Sequence, residues 1–207
     1  YGFLDGYKGL IYGNYKTLAF SDFSGILTKG GTILGSSRCP FKNMRDPDEN
    51  GLDKVAAMKQ NYYKLNLNCL VILGGNGTHK TANLLREEGL NIVTLPKTID
   101  NDLALTDHTP GYGSAAKYIG TSTKEIIRDS NALEYGKGLV TVIEIMGRNA
   151  GWLTGAAALS KGEDCEGPDL IYLPELAFDV EKFVEKVKGL LEKKQSVVVA
   201  VSEGIRL

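Results

Sequence analysis

Apolar runs alternate with amphipathic segments from residue 69 onward. Cys69-Leu-Val-Ile-Leu73 leads into Gly74-Gly75, Asn91-Ile-Val-Thr-Leu95 stops at Pro96, and Leu139-Val-Thr-Val-Ile-Glu-Ile-Met146 stops at Gly147. Leu170-Ile-Tyr-Leu173 stops at Pro174, and Val197-Val-Val-Ala-Val201 ends shortly before Gly204. Short runs rich in β-branched residues and closed by Gly or Pro predict strands buried on both faces. Between them, Val180, Phe183, Val184, Val187 and Leu191 recur at helical spacing with Lys and Glu opposite, and Asp179 stands where an N-cap belongs. Helices are also predicted over Thr81–Glu88, ending at Gly89, over Ser114–Leu133, and over the Ala-rich stretch Ala150–Ser160. Upstream, Val55, Met58, Tyr62 and Leu65 form one more apolar stripe. Strand–helix alternation predicts an α/β fold, with parallel sheets covered by helices through right-handed crossovers.

A chain of 207 residues suits one large domain or two small ones. Twenty-four Lys and Arg against 25 Asp and Glu give a net charge of −1, which argues against a nucleic-acid-binding module. No apolar run approaches the length of a membrane span, and Tyr1-Gly-Phe-Leu-Asp5 lacks the basic and apolar regions of a signal peptide. Cys39, Cys69 and Cys165 are odd in number and far apart, so reduced thiols and a cytoplasmic location are expected. Glycine is in excess, 25 residues in all, and several of these follow the predicted strands.

Ligands of open parallel sheets bind beyond the carboxyl ends of the strands. The first strand delivers Gly74-Gly-Asn-Gly-Thr78 into a helix. Such a turn either cradles phosphate with backbone N–H groups or serves only as a tight connection capped by Thr78. It is neither a Rossmann fingerprint nor a Walker A loop. The second strand delivers Pro96-Lys-Thr-Ile-Asp-Asn-Asp102, where a paired carboxylate beside a lysine suits phosphoryl transfer, although Asx-turns use the same residue types. Later strands deliver Met146-Gly-Arg148, Pro174-Glu175 and Glu203-Gly204, and Gly30-Gly-Thr32 with Gly35-Ser-Ser-Arg38 lies upstream. Lys161–Asp169 is an acidic loop expected to be a solvated turn rather than a metal site. His79 is expected to be solvated, and Trp152 to pack in a core.

In this order these segments, together with Asp5-Gly-Tyr-Lys-Gly-Leu10, resemble the phosphofructokinase family over essentially the whole chain. The resemblance implies a Rossmann-like fold of two domains. A phosphoryl-donor domain would span residues 1–113 and a sugar-phosphate domain 114–207, with further segments missing at both ends and exposed sheet edges as a result. It implies Mg²⁺-dependent phosphorylation of fructose 6-phosphate at the 1-hydroxyl, in a cytoplasmic homodimer or homotetramer with no membrane or nucleic-acid partner. Asp100 would be the general base, Asp102 would support the charge and metal arrangement, and Arg148 and Arg38 would stabilise the moving phosphoryl group. Arg38, Cys39, Gly75, Asn76, Gly77, Thr78 and Lys97 would meet the donor. Thr98, Ile99, Asp100, Met146, Gly147, Arg148 and Glu203 would meet the sugar phosphate.

The chain departs from the family pattern at three points. Asn76 stands where an aspartate is usual, so a metal held there meets a carbonyl without charge. The arginine usual before Met-Gly-Arg is Leu139. The donor signals conflict: Gly77 leaves room for ATP, whereas Lys97 resembles pyrophosphate users. ATP is expected, with pyrophosphate the alternative. Rivals are a non-catalytic sugar-phosphate or nucleotide sensor, favoured by Asn76 and Leu139, and a dinucleotide oxidoreductase, for which the Gly-x-Gly-x-x-Gly turn is lacking.

Overall fold

The computed structural model describes residues 1–134 and 136–206; residues 135 and 207, inside the expected second domain, lie outside the described residues. The chain divides into two compact units, Tyr1–Leu95 and Pro96–Leu207. The division falls at 95/96 rather than at Gly113, and within the intervening segment Thr98 bridges to Gly111 and its N–H donates to the Pro110 carbonyl at 3.2 Å. Residues 96–113 therefore fold as part of the second unit.

In the first unit, β1 (Gly2–Phe3) and β2 (Tyr15–Lys16) pair antiparallel around α1 (Tyr7–Tyr12). Then come α2 (Lys54–Lys64), β3 (Leu70–Gly74), α3 (Asn76–Glu87) and β4 (Ile92–Pro96), with β3 and β4 paired. Helix α2 starts at Asp53, whose carboxylate accepts the N–H groups of Val55 and Ala56 at 3.0 Å each, a side-chain cap that satisfies two first-turn donors. Most of the predicted stripe of α2 is buried: Val55, Met58 and Tyr62 join Leu10 and Ile11 of α1, Leu84 and Leu85 of α3, and Leu70 in a single core, while Leu65, at the C-cap, is half-buried. The two strands are not buried on both faces. Leu70 and Ile72 pack on that core, while Val71 and Leu73 alternate to the other side and are 58% and 61% exposed. The helices of this unit cover one face of the pair only.

The second unit holds the long helix α4 (Tyr112–Ala132), β5 (Leu139–Ile145), the single turn α5 (Trp152–Gly155) continued as a 3₁₀ turn to Ser160, β6 (Leu170–Tyr172), α6 (Val180–Leu191) and β7 (Ser196–Ser202). The sheet is fully parallel in the order β5-β7-β6. Central β7 matches the prediction: Val197 to Ala200 are essentially inaccessible. Val198 packs against Ile127 of α4, and Ala200 against Leu153 and Ala157. Edge strand β5 alternates half-buried and exposed residues and fully buries only Ile145. Asp179 caps α6 as expected, accepting the Lys182 N–H at 3.1 Å.

Candidate phosphoryl-transfer site

The first unit contributes the turn after β3. Thr78 is not the N-cap. Gly75 is, and α3 begins at Asn76, so the N–H groups of Asn76, Gly77 and Thr78 occupy the first turn, where an α-helix offers no internal acceptor. Gly74 is required by close approach: a Cβ there would lie 2.5 Å from the Thr78 side chain. At Gly77 a Cβ would meet nothing within 4 Å. Asn76 and Gly77 are exposed and Thr78 is half-buried. Arg38 is exposed on its loop, whereas Cys39, expected to meet the donor, is half-buried and packs partly against the core, its Sγ 3.6 Å from the Ser37 hydroxyl.

The second unit contributes the loop after β4. Thr98 is buried, and its hydroxyl closes a small turn: it accepts the Asp100 N–H at 3.2 Å and donates to Asp100 Oδ2 at 3.2 Å. Asn101, buried with φ of 54°, accepts the Thr109 N–H on its Oδ1 at 2.9 Å. The Thr109 hydroxyl donates to the Thr98 carbonyl at 2.8 Å. Asp100 and Asp102 are left half-buried, with Lys97 and Ile99 exposed. The loop is thus cross-linked through Thr98, Asn101 and Thr109, with its two carboxylates half-buried.

The carboxyl ends of β5 and β7 meet within the same unit. The Gly147 N–H donates to Glu203 Oε1 at 3.1 Å, and the Ser202 hydroxyl donates to the Gly147 carbonyl at 2.8 Å. Gly147 has φ of 138°, and a Cβ on it would lie 2.6 Å from the Ala150 carbonyl oxygen. A Cβ on Gly204 would collide with the backbone of Arg148. Beside them, past the end of β6, Glu175 Oε1 accepts the Gly151 N–H at 2.7 Å. Met146, Arg148 and Glu203 remain exposed. The glycines in Met-Gly-Arg and Glu-Gly are therefore what lets two strand tips touch, bringing an arginine and a glutamate to one end of the sheet.

Several residues depart from expectation or were not singled out by motif. Trp152 is 56% exposed, its ring edge-on to Tyr112 at 6.5 Å, because α5 buries Leu153 and Thr154 instead. His79 is half-buried, and its Nε2 is shielded from solvent with no hydrogen-bond partner among the described residues. The acidic loop is exposed at Glu163 and Glu166, while Asp164 pairs with Lys124 and Arg128. Tyr7, Thr109 and Ser202 carry hydrogen bonds that shape the site segments, yet their residue types at those spacings signal nothing in a linear sequence. No three His, Cys, Asp or Glu side chains cluster to hold a metal among the described residues. An Mg²⁺ carried in by phosphates needs no such cage; one or two oxygen ligands suffice, and the exposed amide of Asn76 on the turn after β3 fits that mode. Among the described residues no helix is long and apolar enough to cross a membrane.

The chain was compared with known proteins as a whole. The phosphofructokinase family profile matches residues 1–207. An ATP-dependent 6-phosphofructokinase of Spirochaeta thermophila is 46% identical over 98% of this chain and 54% of that protein. A pyrophosphate–fructose 6-phosphate 1-phosphotransferase of Amycolatopsis methanolica is 37% identical over 98% of this chain and 55% of its own length. The crystal structure of a pyrophosphate-dependent phosphofructokinase from Marinobacter aquaeolei superposes with a TM-score of 0.75 at 28% identity, over 99% of this chain and 51% of that one. The chain spans about half the length of the curated relatives it matches. With the family profile matching over its whole length, the chain belongs to the phosphofructokinase family.

Proposed function

We propose that the protein carrying this chain transfers the γ-phosphoryl group of ATP to the 1-hydroxyl of fructose 6-phosphate. Residues 1–113 would serve the donor and 114–207 most of the sugar phosphate. The observation that carries the reading is the Thr98–Asp100 turn: the Thr98 hydroxyl holds Oδ2 of a half-buried carboxylate, leaving Oδ1 without a partner among the described residues. In the transfer, the sugar oxygen bonds to the γ-phosphorus as the bond from that phosphorus to the β–γ bridging oxygen breaks, releasing ADP. The hydroxyl proton passes to Asp100. Asp102 adds negative charge beside the base. Arg148 and Arg38 meet the equatorial oxygens, where charge builds in a loose transition state and positioned cations contribute most. Met146, Gly147 and Glu203 line the sugar, with Ile99 at its edge. The open N–H groups of the first turn of α3 receive the donor's phosphates, with Lys97 and Cys39 flanking. Mg²⁺, held through the Asn76 carbonyl oxygen, would neutralise phosphate charge there.

Pyrophosphate is the second reading, favoured by Lys97 and by the Amycolatopsis methanolica relative. The open space at Gly77 favours ATP. An assay coupled to fructose 1,6-bisphosphate formation, run with each donor in turn, tests both. Turnover with ATP alone is expected; turnover with pyrophosphate alone reverses the donor, and turnover with neither, despite nucleotide binding by calorimetry, leaves the sensor reading. The same reading carries a cytoplasmic homodimer or homotetramer, which sedimentation of the whole protein tests.

A further inference from the structure

The turn that opens α1 is bonded to two segments of the first unit that the proposed donor site uses. Asp5 and Gly6 have φ of 58° and 63°, so the chain reverses sharply before α1 starts at Tyr7. On one side the Asp5 N–H donates to the Leu34 carbonyl at 2.9 Å and the Ser37 hydroxyl donates to the Asp5 carbonyl at 2.6 Å. These bonds hold the loop that carries Arg38 and Cys39. On the other side the Tyr7 hydroxyl donates to the Thr78 carbonyl at 2.7 Å. Among the described residues this is the one side-chain hydrogen bond that reaches the first turn of α3 from outside the helix. Gly75 supplies no capping side chain, and the Thr78 side chain is spent on packing against Gly74.

We propose that Tyr7 is a positioning residue for the phosphoryl donor: its hydroxyl sets the first turn of α3 against the Arg38 loop, and with it the direction of the open N–H groups of Asn76, Gly77 and Thr78. The inference rests on the reading of that turn as the donor site. A phenol suits the task because its reach is long and only two side-chain torsions must be frozen. Burial, and to a lesser extent the neighbouring Cys39, raises the phenol well above its ordinary value, so the hydroxyl stays a proton donor throughout the neutral range. The bond spans 71 positions of sequence, which is why no local pattern announces it.

Tyr7→Phe keeps the ring and removes only the hydroxyl. In the whole protein the expected result is a rise of about 3–10-fold in KM for the donor, the value of one hydrogen bond, with KM for fructose 6-phosphate unchanged and the thermal midpoint nearly so. A merely structural tyrosine would lower the midpoint and move both KM values together. Equal shifts in both, or no shift in donor KM, overturn the inference. Should Tyr7→Phe fail to fold, Ser37→Ala cuts the other end of the same bridge and is read by the same split. A wild-type protein that turns over with neither ATP nor pyrophosphate and binds neither removes the donor-site reading itself. A wild type that works normally beside an unaltered Tyr7→Phe removes the role of Tyr7 alone.

Discussion

The turn at 74–78 and the loop at 98–111 belong to one proposed reaction but are built on opposite plans. The turn is made of backbone: glycines admit a close strand-to-helix junction, and the first-turn N–H groups of α3 have no internal acceptors. The loop is made of side chains: Thr98 holds Asp100, Asn101 holds Thr109, and Thr109 holds Thr98 in return. Binding an anion needs only converging dipoles, which any sequence able to form the turn supplies. Placing a carboxylate to take a proton needs its own scaffold, because a free aspartate side chain samples several rotamers. Substitutions should therefore injure the two regions in different ways.

The largest effect is expected at Asp100. In Asp100→Ser of the whole protein, kcat should fall at least about 10²-fold while calorimetry still detects fructose 6-phosphate; near-normal turnover would strip Asp100 of its role. Next comes Asn101→Ala, which orphans the buried Thr109 N–H and leaves an alanine at φ of 54°. Urea denaturation should show a loss of about 1–3 kcal/mol, and an unchanged midpoint would mean the loop is held by something else. A sharper comparison sets Gly74→Ala against Gly77→Ala. The first forces a methyl group onto Thr78 and should cost about 1–3 kcal/mol. The second meets open space in a helix and should gain up to about 1 kcal/mol. Equal effects at the two positions would contradict the backbone plan of the turn.

The smallest effect is on the acid side. Hydrogen bonding by Lys124 holds the Asp164 carboxyl below its ordinary value of 3.8, and Lys59 does the same for Glu88 below 4.5. A group whose folded value is depressed stabilises the fold fully above its ordinary value and loses that contribution as pH falls through the folded one. The melting temperature should thus hold steady down to pH values just above those figures and decline below them. Asp164 is exposed and Glu88 half-buried at the surface, so the decline should be shallow and further weakened by salt. An Asp164→Asn variant with an unaltered acid limb would show that its pairs contribute nothing.

Linear reading worked where chemistry and local geometry coincide. All five apolar runs became strands, Asp179 became a cap, and the stripe through Val55, Met58 and Tyr62 became core, because alternation and helical spacing are enforced by the backbone itself. It failed where burial depends on what lies across a face. Cys69–Leu73 and Val197–Val201 look alike in sequence, yet Leu73 is 61% exposed while Val197 is inaccessible. Trp152 misled for the same reason, since large and apolar does not mean inward when smaller neighbours fill the core. Thr78 misled in another way: a threonine after glycines suits a cap, but the chain entered its helix one turn sooner, at Gly75.

The amino-acid order alone determined the strand and helix periods, the glycines and carboxylates at strand ends, and the family, since each is a property of residue types at short spacing. Tertiary structure decided which faces are covered, which tip touches which, and which hydroxyl steadies which segment. Those outcomes depend on contacts between positions tens of residues apart, such as Tyr7 with Thr78 or Gly147 with Glu203, and a contact of that kind exists only once the chain has closed the loop between them.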